Sequence, residues 1–347
     1  MFTKPQYGAA VKKNMSKLLG HLTQEVIVFL LAAVLFLAAA IFLPGFVWKD
    51  GAFQAGNLII MVRSVSVLGI LAVGMGIVII GRGIDLSAVA VMAMSVAWYL
   101  QMLNSGVPGW QALAWALAGV ILVGAINGFM VAYADVPAIF VTLASSYFVY
   151  GFVRSQLIVQ DATPAPAGNW ILELPNLQLV AVTHIPIDVY AFAAAAFIGF
   201  LFLRFTKWGR YIYMMGDNFL AARNMGVPVR PMTVLYYVIS ALMAFVAGIL
   251  STSSIQSMNV RVVNSNMLYD VILVCVIGGI GLSGGKGYMR NVVVGALLIG
   301  IMGNAMTIMD FSNVEQNLIK SIILLAAIMI DGLLNPRDEQ TAQQGDI

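Results

Sequence analysis

The chain contains 347 residues, of which 61% are hydrophobic and only 10% carry a charge. Soluble domains are about 45–50% apolar and about 25% charged, so this chain cannot supply the polar surface that a water-soluble domain needs. The net charge of +3 is too small to indicate a nucleic-acid partner, and a single cysteine, Cys275, excludes an intramolecular disulfide. The two histidines are far apart in sequence, which gives no support for a zinc site. The composition therefore predicts a protein whose solvent is the lipid bilayer.

Ten apolar segments are candidates for transmembrane helices, which need about 20 mostly apolar residues. They are residues 26–46, 64–80, 86–103, 110–133, 138–159, 187–205, 231–254, 267–281, 291–309 and 315–334. The predicted fold class is therefore all-α, a polytopic membrane protein with about ten transmembrane helices. The predicted organisation is a cytoplasmic N-terminal segment (1–25), a transmembrane domain (26–334) and a cytoplasmic tail (335–347).

The positions of the basic residues predict the orientation. With the N-terminus placed inside, most Lys and Arg residues fall in or beside cytoplasmic segments, above all in the basic loop 206–230. The other long loop, 160–186, is poor in Lys and Arg and is predicted to be external. Because cytoplasmic loops carry an excess of Lys and Arg, this asymmetry predicts that both termini are cytoplasmic.

The basic loop contains a short segment with helix signals at both ends. Asp217 or Asn218 can cap a helix N-terminus through a side-chain oxygen, Gly226 suits the left-handed position after its end, and Pro228 prevents continuation. Between them lie good helix formers and apolar side chains: Phe219, Leu220, Ala221, Ala222, Arg223 and Met225. Such a helix either docks a partner protein or packs on its own bundle.

Four blocks of this sequence resemble the ribose-type ABC sugar permeases over roughly residues 55–334. The short helix resembles the cytoplasmic coupling motif of that family at Gly216, Asn218, Ala221, Ala222, Arg223 and Gly226. The other three blocks are Gly83-Ile84-Asp85-Leu86-Ser87, Pro137 with Phe140, Thr142 and Leu143, and Asp270 with Gly278, Gly279, Leu282, Ser283, Gly284 and Gly285. The sequence departs from the family pattern at Arg82, where glycine is expected, and at Ala144-Ser145-Ser146, where a glycine-led run is expected.

The resemblance implies the permease subunit of an ATP-binding-cassette importer in the bacterial inner membrane. In that family two permeases, identical or paralogous, pair with cytoplasmic ATPase subunits and receive sugar from a periplasmic binding protein. The residues expected to dock the ATPase are Gly216, Asp217, Asn218, Phe219, Leu220, Ala221, Ala222, Arg223 and Gly226. The small Ala221 and Ala222 would permit close approach, so a bulky residue at Ala222 is expected to uncouple the pump while the bundle stays folded.

The glycine-rich segment Gly281–Gly287 is the nearest match to a phosphate-binding loop. Ile280 stands where the first glycine of that loop belongs, and Gly287 replaces the hydroxyl residue. We therefore interpret the segment as a tight turn between helices rather than an anion site. The chain is not expected to be an enzyme or to hold a cofactor or metal, and ATP hydrolysis is expected on a separate subunit.

Polar residues within the apolar segments are candidates for the solute pathway. Asp85 is either the N-cap of the third segment or a pore residue that binds a sugar hydroxyl. Asn127 between two glycines favours helix packing, and Ser and Thr side chains often bond their own helix backbone. Asp270 is predicted to lie at the membrane interface. The candidate pathway residues are Asp85, Asn127, Phe140, Thr142, Ser145, Tyr147 and Asp270.

Two other functions stay open at this point. An ion-coupled secondary transporter of a small solute would need embedded carboxylates or a cation site near the bilayer midplane. The apolar segments show no clear pair of acids, and Lys320 is their only obvious deep cation. A membrane enzyme would need a nucleophile or metal constellation, and no pair of histidines or of cysteine and histidine is evident.

Overall fold

The computed structural model describes residues 24–49, 51–176 and 185–334. The predicted cytoplasmic tail and all but the last two residues of the predicted N-terminal segment lie outside the described residues. The helices are α1 (Gln24–Phe42), α2 (Ala55–Ile80), α3 (Ala88–Asn104), α4 (Gly109–Tyr133), α5 (Ala138–Phe152), α6 (Trp170–Glu173), α7 (Ile187–Phe205), α8 (Lys207–Asp217), α9 (Phe219–Asn224), α10 (Val229–Ile255), α11 (Met267–Gly278), α12 (Met289–Ile308) and α13 (Asn313–Leu334).

Two small antiparallel sheets interrupt the helical pattern. Strands β1 (Trp48–Lys49) and β2 (Ala52–Phe53) form a hairpin between α1 and α2. Strand β3 (Ala162–Pro164) pairs with β4 (Ser257–Asn259), so the connection after α5 is joined to the connection after α10. Short turns of other helix types follow α5 (Val153–Leu157, π), α6 (Leu174–Asn176, 3₁₀) and β4 (Val260–Asn264, 3₁₀).

Helices α2 and α10 form the centre of the bundle, with α10 packed against α4, α2 and α3. Both central helices are apolar on nearly all sides, which is the pattern of a helix buried by other helices. Glycines allow the backbones to approach. A Cβ on Gly128 of α4 would lie 2.4 Å from the Cα of Val234 in α10, and one on Gly248 of α10 would lie 2.7 Å from the carbonyl oxygen of Met92 in α3. Small residues at such crossings are typical of membrane helix packing.

Each of the ten predicted segments contains a helix, which supports the polytopic helical class. Within the described residues, seven helices are long and apolar enough to cross a membrane: α1, α2, α4, α5 with its π turn, α7, α10 and α12. Helices α3 and α11 are apolar but shorter. Helix α11 has 12 residues and so is about 18 Å long, less than the roughly 30 Å hydrocarbon core. The number of spans therefore stays a prediction.

At the end of the bundle that carries β3 and β4, one carboxylate joins two arginines. Asp161 accepts hydrogen bonds from Nε of Arg154 at 2.6 Å and from Nε of Arg261 at 2.9 Å. The Arg261 bond, followed by the Arg154 bond, lowers the pKa of the Asp161 carboxyl below its ordinary value. Asp161 therefore links the end of α5 to the turn after β4.

Candidate functional site

The short helix in the basic loop is α9, and its boundaries follow from local capping. Asn218 Oδ1 accepts a hydrogen bond from the backbone N–H of Ala221 at 2.9 Å, so Asn218, not Asp217, is the N-cap. At the other end the N–H of Val227 bonds to the carbonyl of Ala222 and the N–H of Gly226 bonds to the carbonyl of Arg223. This is a Schellman motif. Gly226 has φ +82°, the left-handed conformation that the sequence predicts there.

The side chains of α9 divide into an outer and an inner face. Leu220 is 46% exposed and Met225 66% exposed, and Ala221 and Arg223 are exposed beside them. Phe219, by contrast, is half-buried against the chain's own core, and Ala222 has no exposed surface. Ala222 therefore packs against the chain's own core. The expectation that a bulky residue at this position would leave the bundle folded is wrong, because the structure has no space for it. A bulky substitution that leaves the fold intact is possible at Ala221, whose side chain is exposed.

The end of α8 meets two other connections. A Cβ on Gly216 would lie 1.9 Å from the carbonyl oxygen of Ile80 and 2.3 Å from the backbone nitrogen of Gly285. Those two backbone groups are bonded to each other, since the N–H of Gly285 donates to the Ile80 carbonyl at 2.9 Å. We call this contact between the ends of α2 and α8 and the turn 279–288 the three-segment junction. Only a residue without a side chain fits at position 216.

A tyrosine strengthens the same junction from α8. The hydroxyl of Tyr213 donates a hydrogen bond to the carbonyl of Gly287 at 2.6 Å. Burial raises the pKa of Tyr213 to about 12, which further favours the neutral hydroxyl that donates this bond. The glycine-rich segment thus forms the turn between α11 and α12, as predicted from the sequence, and its Gly287 carbonyl accepts a hydrogen bond from α8.

Arg82, the departure from the family pattern, lies in the junction with φ +70°. This left-handed conformation favours glycine, and other residues there carry a strain of order 1–3 kcal/mol. A Cβ on Gly284 would lie 2.9 Å from the Cβ of Arg82, so the missing side chain of Gly284 makes room for the arginine. The left-handed backbone at position 82 therefore explains why glycine is expected there. In this chain an arginine adopts that conformation.

The break between α2 and α3 carries Asp85, whose carboxylate is buried and fully engaged. Its Oδ1 accepts hydrogen bonds from the N–H of Ser87 at 2.9 Å and from Ser87 Oγ at 2.5 Å. Its Oδ2 accepts one from Ser240 Oγ in α10 at 2.7 Å. Asp85 is 2% exposed. The local bonds form a turn just before α3, whose N-cap residue is Ser87, and the bond to Ser240 ties that turn to the central helix.

Helices α4 and α5 and a second residue of α10 reach the same turn, and we call the assembly the buried polar cluster. Asn127 of α4 donates from Nδ2 to Ser87 Oγ at 2.9 Å, while its buried Oδ1 has no hydrogen-bond partner among the described residues. The hydroxyls of Thr142 in α5 and Tyr237 in α10 lie 3.3 and 3.4 Å from the carbonyl oxygen of Ile84. The cluster thus brings together hydroxyls, an amide and a carboxylate, which are the kinds of group that bind sugar hydroxyls, and here they are buried and bonded to one another.

The remaining predicted pathway residues lie elsewhere. Phe140 and Tyr147 of α5 are 66% and 71% exposed and point away from the chain's own core, and Ser145 is half-buried on the same helix. Asp270 lies in the first turn of α11 and bonds to Lys320 of α13 at 2.7 Å. The pair lines a pocket of about 120 Å³ with Asn266, Tyr269, Leu273, Asn317, Ser321 and Leu324. The predicted residues therefore divide among three places.

Two partners in these sites were not predicted from the sequence. Ser240 lies in a long apolar segment, and no local pattern distinguishes it. Lys320 could have been paired with Asp270, because the predicted topology starts both helices on the same side of the membrane and places these opposite charges in the first half of each. Opposite charges at similar depth in membrane helices pair with one another.

Comparison with known proteins identifies the family. Residues 57–330 match the family described as "Branched-chain amino acid transport system / permease component". The chain is 31% identical over 291 residues to the ribose import permease protein RbsC of Haemophilus influenzae, covering 82% of this chain and 88% of that protein. It is 29% identical over 308 residues to the L-arabinose transport system permease protein AraH of Escherichia coli, covering 86% and 88%.

A third relative extends the comparison. The xylose transport system permease protein XylH of Haemophilus influenzae is 27% identical, and the match covers 86% of this chain and 95% of that protein. No solved structure shows significant similarity to the chain. The family match covers most of the chain and includes α9, the three-segment junction and the buried polar cluster. The chain therefore belongs to this family of transport-system permease components, and its resemblance to the ribose-type ABC sugar permeases is confirmed.

Proposed function

We propose that the chain is the transmembrane subunit of an ABC importer that takes up a sugar or a related small polar solute. A periplasmic binding protein delivers the solute, and a separate cytoplasmic ATPase docks on the outer face of α9, formed by Leu220, Ala221, Arg223 and Met225. The observation that carries this proposal is the construction of α9. It is capped at both ends and anchored at the three-segment junction, yet it leaves Leu220 and Met225 exposed.

The junction explains how docking could act on the membrane helices. Gly216 touches the carbonyl of Ile80, the last residue of α2, and the chain reaches Asp85 five residues later. A movement of α8 and α9 would therefore shift the turn that holds the buried polar cluster. Packed interfaces transmit such shifts because they are not continuously deformable.

The solute class follows from the relatives and from the cluster. The three relatives above are named for ribose, arabinose and xylose, whereas the family description names branched-chain amino acids. The hydroxyls, amide and carboxylate around Asp85 suit a polyhydroxylated solute better than an apolar amino-acid side chain. We therefore propose a sugar, with Asp85, Asn127 and Thr142 in the pathway.

The exposed face of α5 supports a second permease copy or a paralogue. Phe140 and Tyr147 can contact a solute only at a surface that this chain shares with another molecule, since neither packs on its own core. A dimer with α5 facing the partner would place these aromatic rings beside the pathway. Asp270 would belong to the pathway through the separate pocket that it lines with Lys320.

Truncating Leu220 is expected to weaken ATPase docking about thirtyfold. Central apolar anchors of an interface cost about 2 kcal/mol or more when truncated, and each 1.4 kcal/mol is about tenfold in affinity. Ala221→Trp should block docking by bulk, because Ala221 is exposed. The measurement is ATPase affinity and solute uptake in reconstituted vesicles. Val159→Ala, an exposed apolar residue near Asp161, is the matched control and should change neither.

The docking experiment also tests the alternative mechanism. The chain alone should show no uptake under a proton or sodium gradient. Uptake without any ATPase would replace the proposal with ion-coupled secondary transport. Normal ATPase affinity in both Leu220→Ala and Ala221→Trp would remove α9 as the docking site.

We also propose ten spans with both termini cytoplasmic in the bacterial inner membrane. Single cysteines at Ala167 and Asn224, both exposed, would report the two sides in a Cys275→Ser background. An impermeant thiol reagent added outside intact spheroplasts should label position 167 and leave position 224 unlabelled. Labelling of position 224 from outside would contradict this orientation.

A further inference from the structure

A groove lies on the outer surface of the bundle between α4 and α10. The two helices touch backbone to backbone, because Gly124 and Gly128 leave no side chain between them and Val238 and Val234. Beside this line of contact the surface opens into a groove of about 550 Å³. Its lining residues are Ala125, Ile126, Phe129, Tyr133 and Val234.

The walls of the groove are apolar and uncovered. Ile126 is 51% exposed and Phe129 53% exposed, and the rings of Phe129 and Tyr133 stack with centroids 5.0 Å apart. Both helices are long and apolar enough to cross a membrane. The groove therefore opens toward the hydrocarbon of the bilayer, where the apolar groups that surround it are lipid acyl chains.

A cation stands at one end of the groove. Arg230, the second residue of α10, is exposed and lies over the ring of Tyr133 with its guanidinium carbon 5.3 Å from the ring centroid. Arg230 forms no ion pair with any described residue. The end of a spanning helix is the level of lipid headgroups, and a guanidinium binds phosphate through paired N–H donors.

We propose that this groove binds an anionic phospholipid, with an acyl chain along Ile126, Phe129 and Val234 and the phosphate on Arg230. Basic residues beside grooves between membrane helices are a recognised means of selecting anionic headgroups. The lipid would bridge α4 and α10, which supply Asn127 and Ser240 to the buried polar cluster. The proposal rests only on the helices spanning the membrane and does not depend on the solute or on ATPase docking.

Native mass spectrometry of the purified full-length chain can test the site. The probes are phosphatidylglycerol and phosphatidylcholine with the same acyl chains, added to delipidated protein. The wild type should retain phosphatidylglycerol with a preference of about fivefold, the size expected for one cation at a membrane surface. Arg230→Gln should bind both lipids equally. Phe129→Ala should weaken both while keeping the preference for phosphatidylglycerol.

Lys207→Gln is the matched control, because Lys207 also lies over an aromatic ring, that of Trp208 at 5.1 Å, but does not line the groove. It should retain the wild-type preference. An unchanged preference in Arg230→Gln, or an equal loss in Lys207→Gln, would overturn the proposal. So would displacement of the lipid by millimolar inorganic phosphate. If Phe129→Ala alters the number of protomers and leaves bound lipid unchanged, the groove is a protein interface and the lipid site is wrong.

Discussion

Gly216→Ala is expected to abolish coupled transport while the membrane helices stay folded. The added Cβ would lie 1.9 Å from the Ile80 carbonyl oxygen and 2.3 Å from the Gly285 nitrogen, whereas real Cβ contacts essentially never fall below 3.0 Å. Both neighbours are backbone atoms joined by their own hydrogen bond, so neither can yield alone. Overpacking of this kind typically costs about 1–3 kcal/mol. We expect α8 and the turn 279–288 to separate.

The experiment compares Gly216→Ala with Gly303→Ala in α12, where nothing lies within 4 Å of the added Cβ. Gly303→Ala should behave as wild type in expression, thermal stability and uptake. Gly216→Ala should elute as a folded protein, lose solute uptake, and no longer link ATP hydrolysis to added solute. Full uptake by Gly216→Ala would show that the three-segment junction does not carry the coupling.

Features that depend on neighbouring residues were predictable from the sequence. The helix caps at Asn218 and Gly226 involve groups within a few residues, and α9 forms where the pattern places it. Hydropathy is equally local, and each apolar segment contains a helix. The Asp85 turn was partly predictable, because a carboxylate two residues before Ser87 can bond its N–H.

Features that join distant segments could not be predicted in this way. The sequence suggested that Gly216 and Ala222 meet a partner, but both are buried against the chain itself, and only the fold brings Ile80 and Gly285 to Gly216. The alternatives for Asp85 were a helix cap or a pore residue, and neither anticipated the bond from Ser240. The sequence around a hydroxyl in an apolar helix does not indicate which residue that hydroxyl bonds to.

Asp85→Ala is expected to destabilise the permease strongly. The substitution removes the acceptor of three donors, namely the Ser87 N–H, the Ser87 hydroxyl and the Ser240 hydroxyl. A buried donor without an acceptor costs about 1–3 kcal/mol, so even with partial rearrangement the loss should be of order 3 kcal/mol. Thermal unfolding in detergent, followed by size-exclusion chromatography, measures the change.

Asp85→Asn separates the structural role of this residue from a role in transport. The amide keeps the shape of the carboxylate and one acceptor oxygen, and a serine hydroxyl can rotate to accept from its N–H groups. We therefore expect near-normal stability for Asp85→Asn. The control is Ser240→Ala, which leaves Asp85 Oδ2 without its donor and should lose about 1–3 kcal/mol of stability, so uptake is compared per amount of folded protein. If Asp85 binds the solute, uptake by Asp85→Asn should fall at least tenfold, while uptake per folded protein by the less stable Ser240→Ala stays close to that of wild type. Wild-type uptake in Asp85→Asn would show that Asp85 only holds α2, α3 and α10 together. Wild-type stability in Asp85→Ala would contradict that structural role as well.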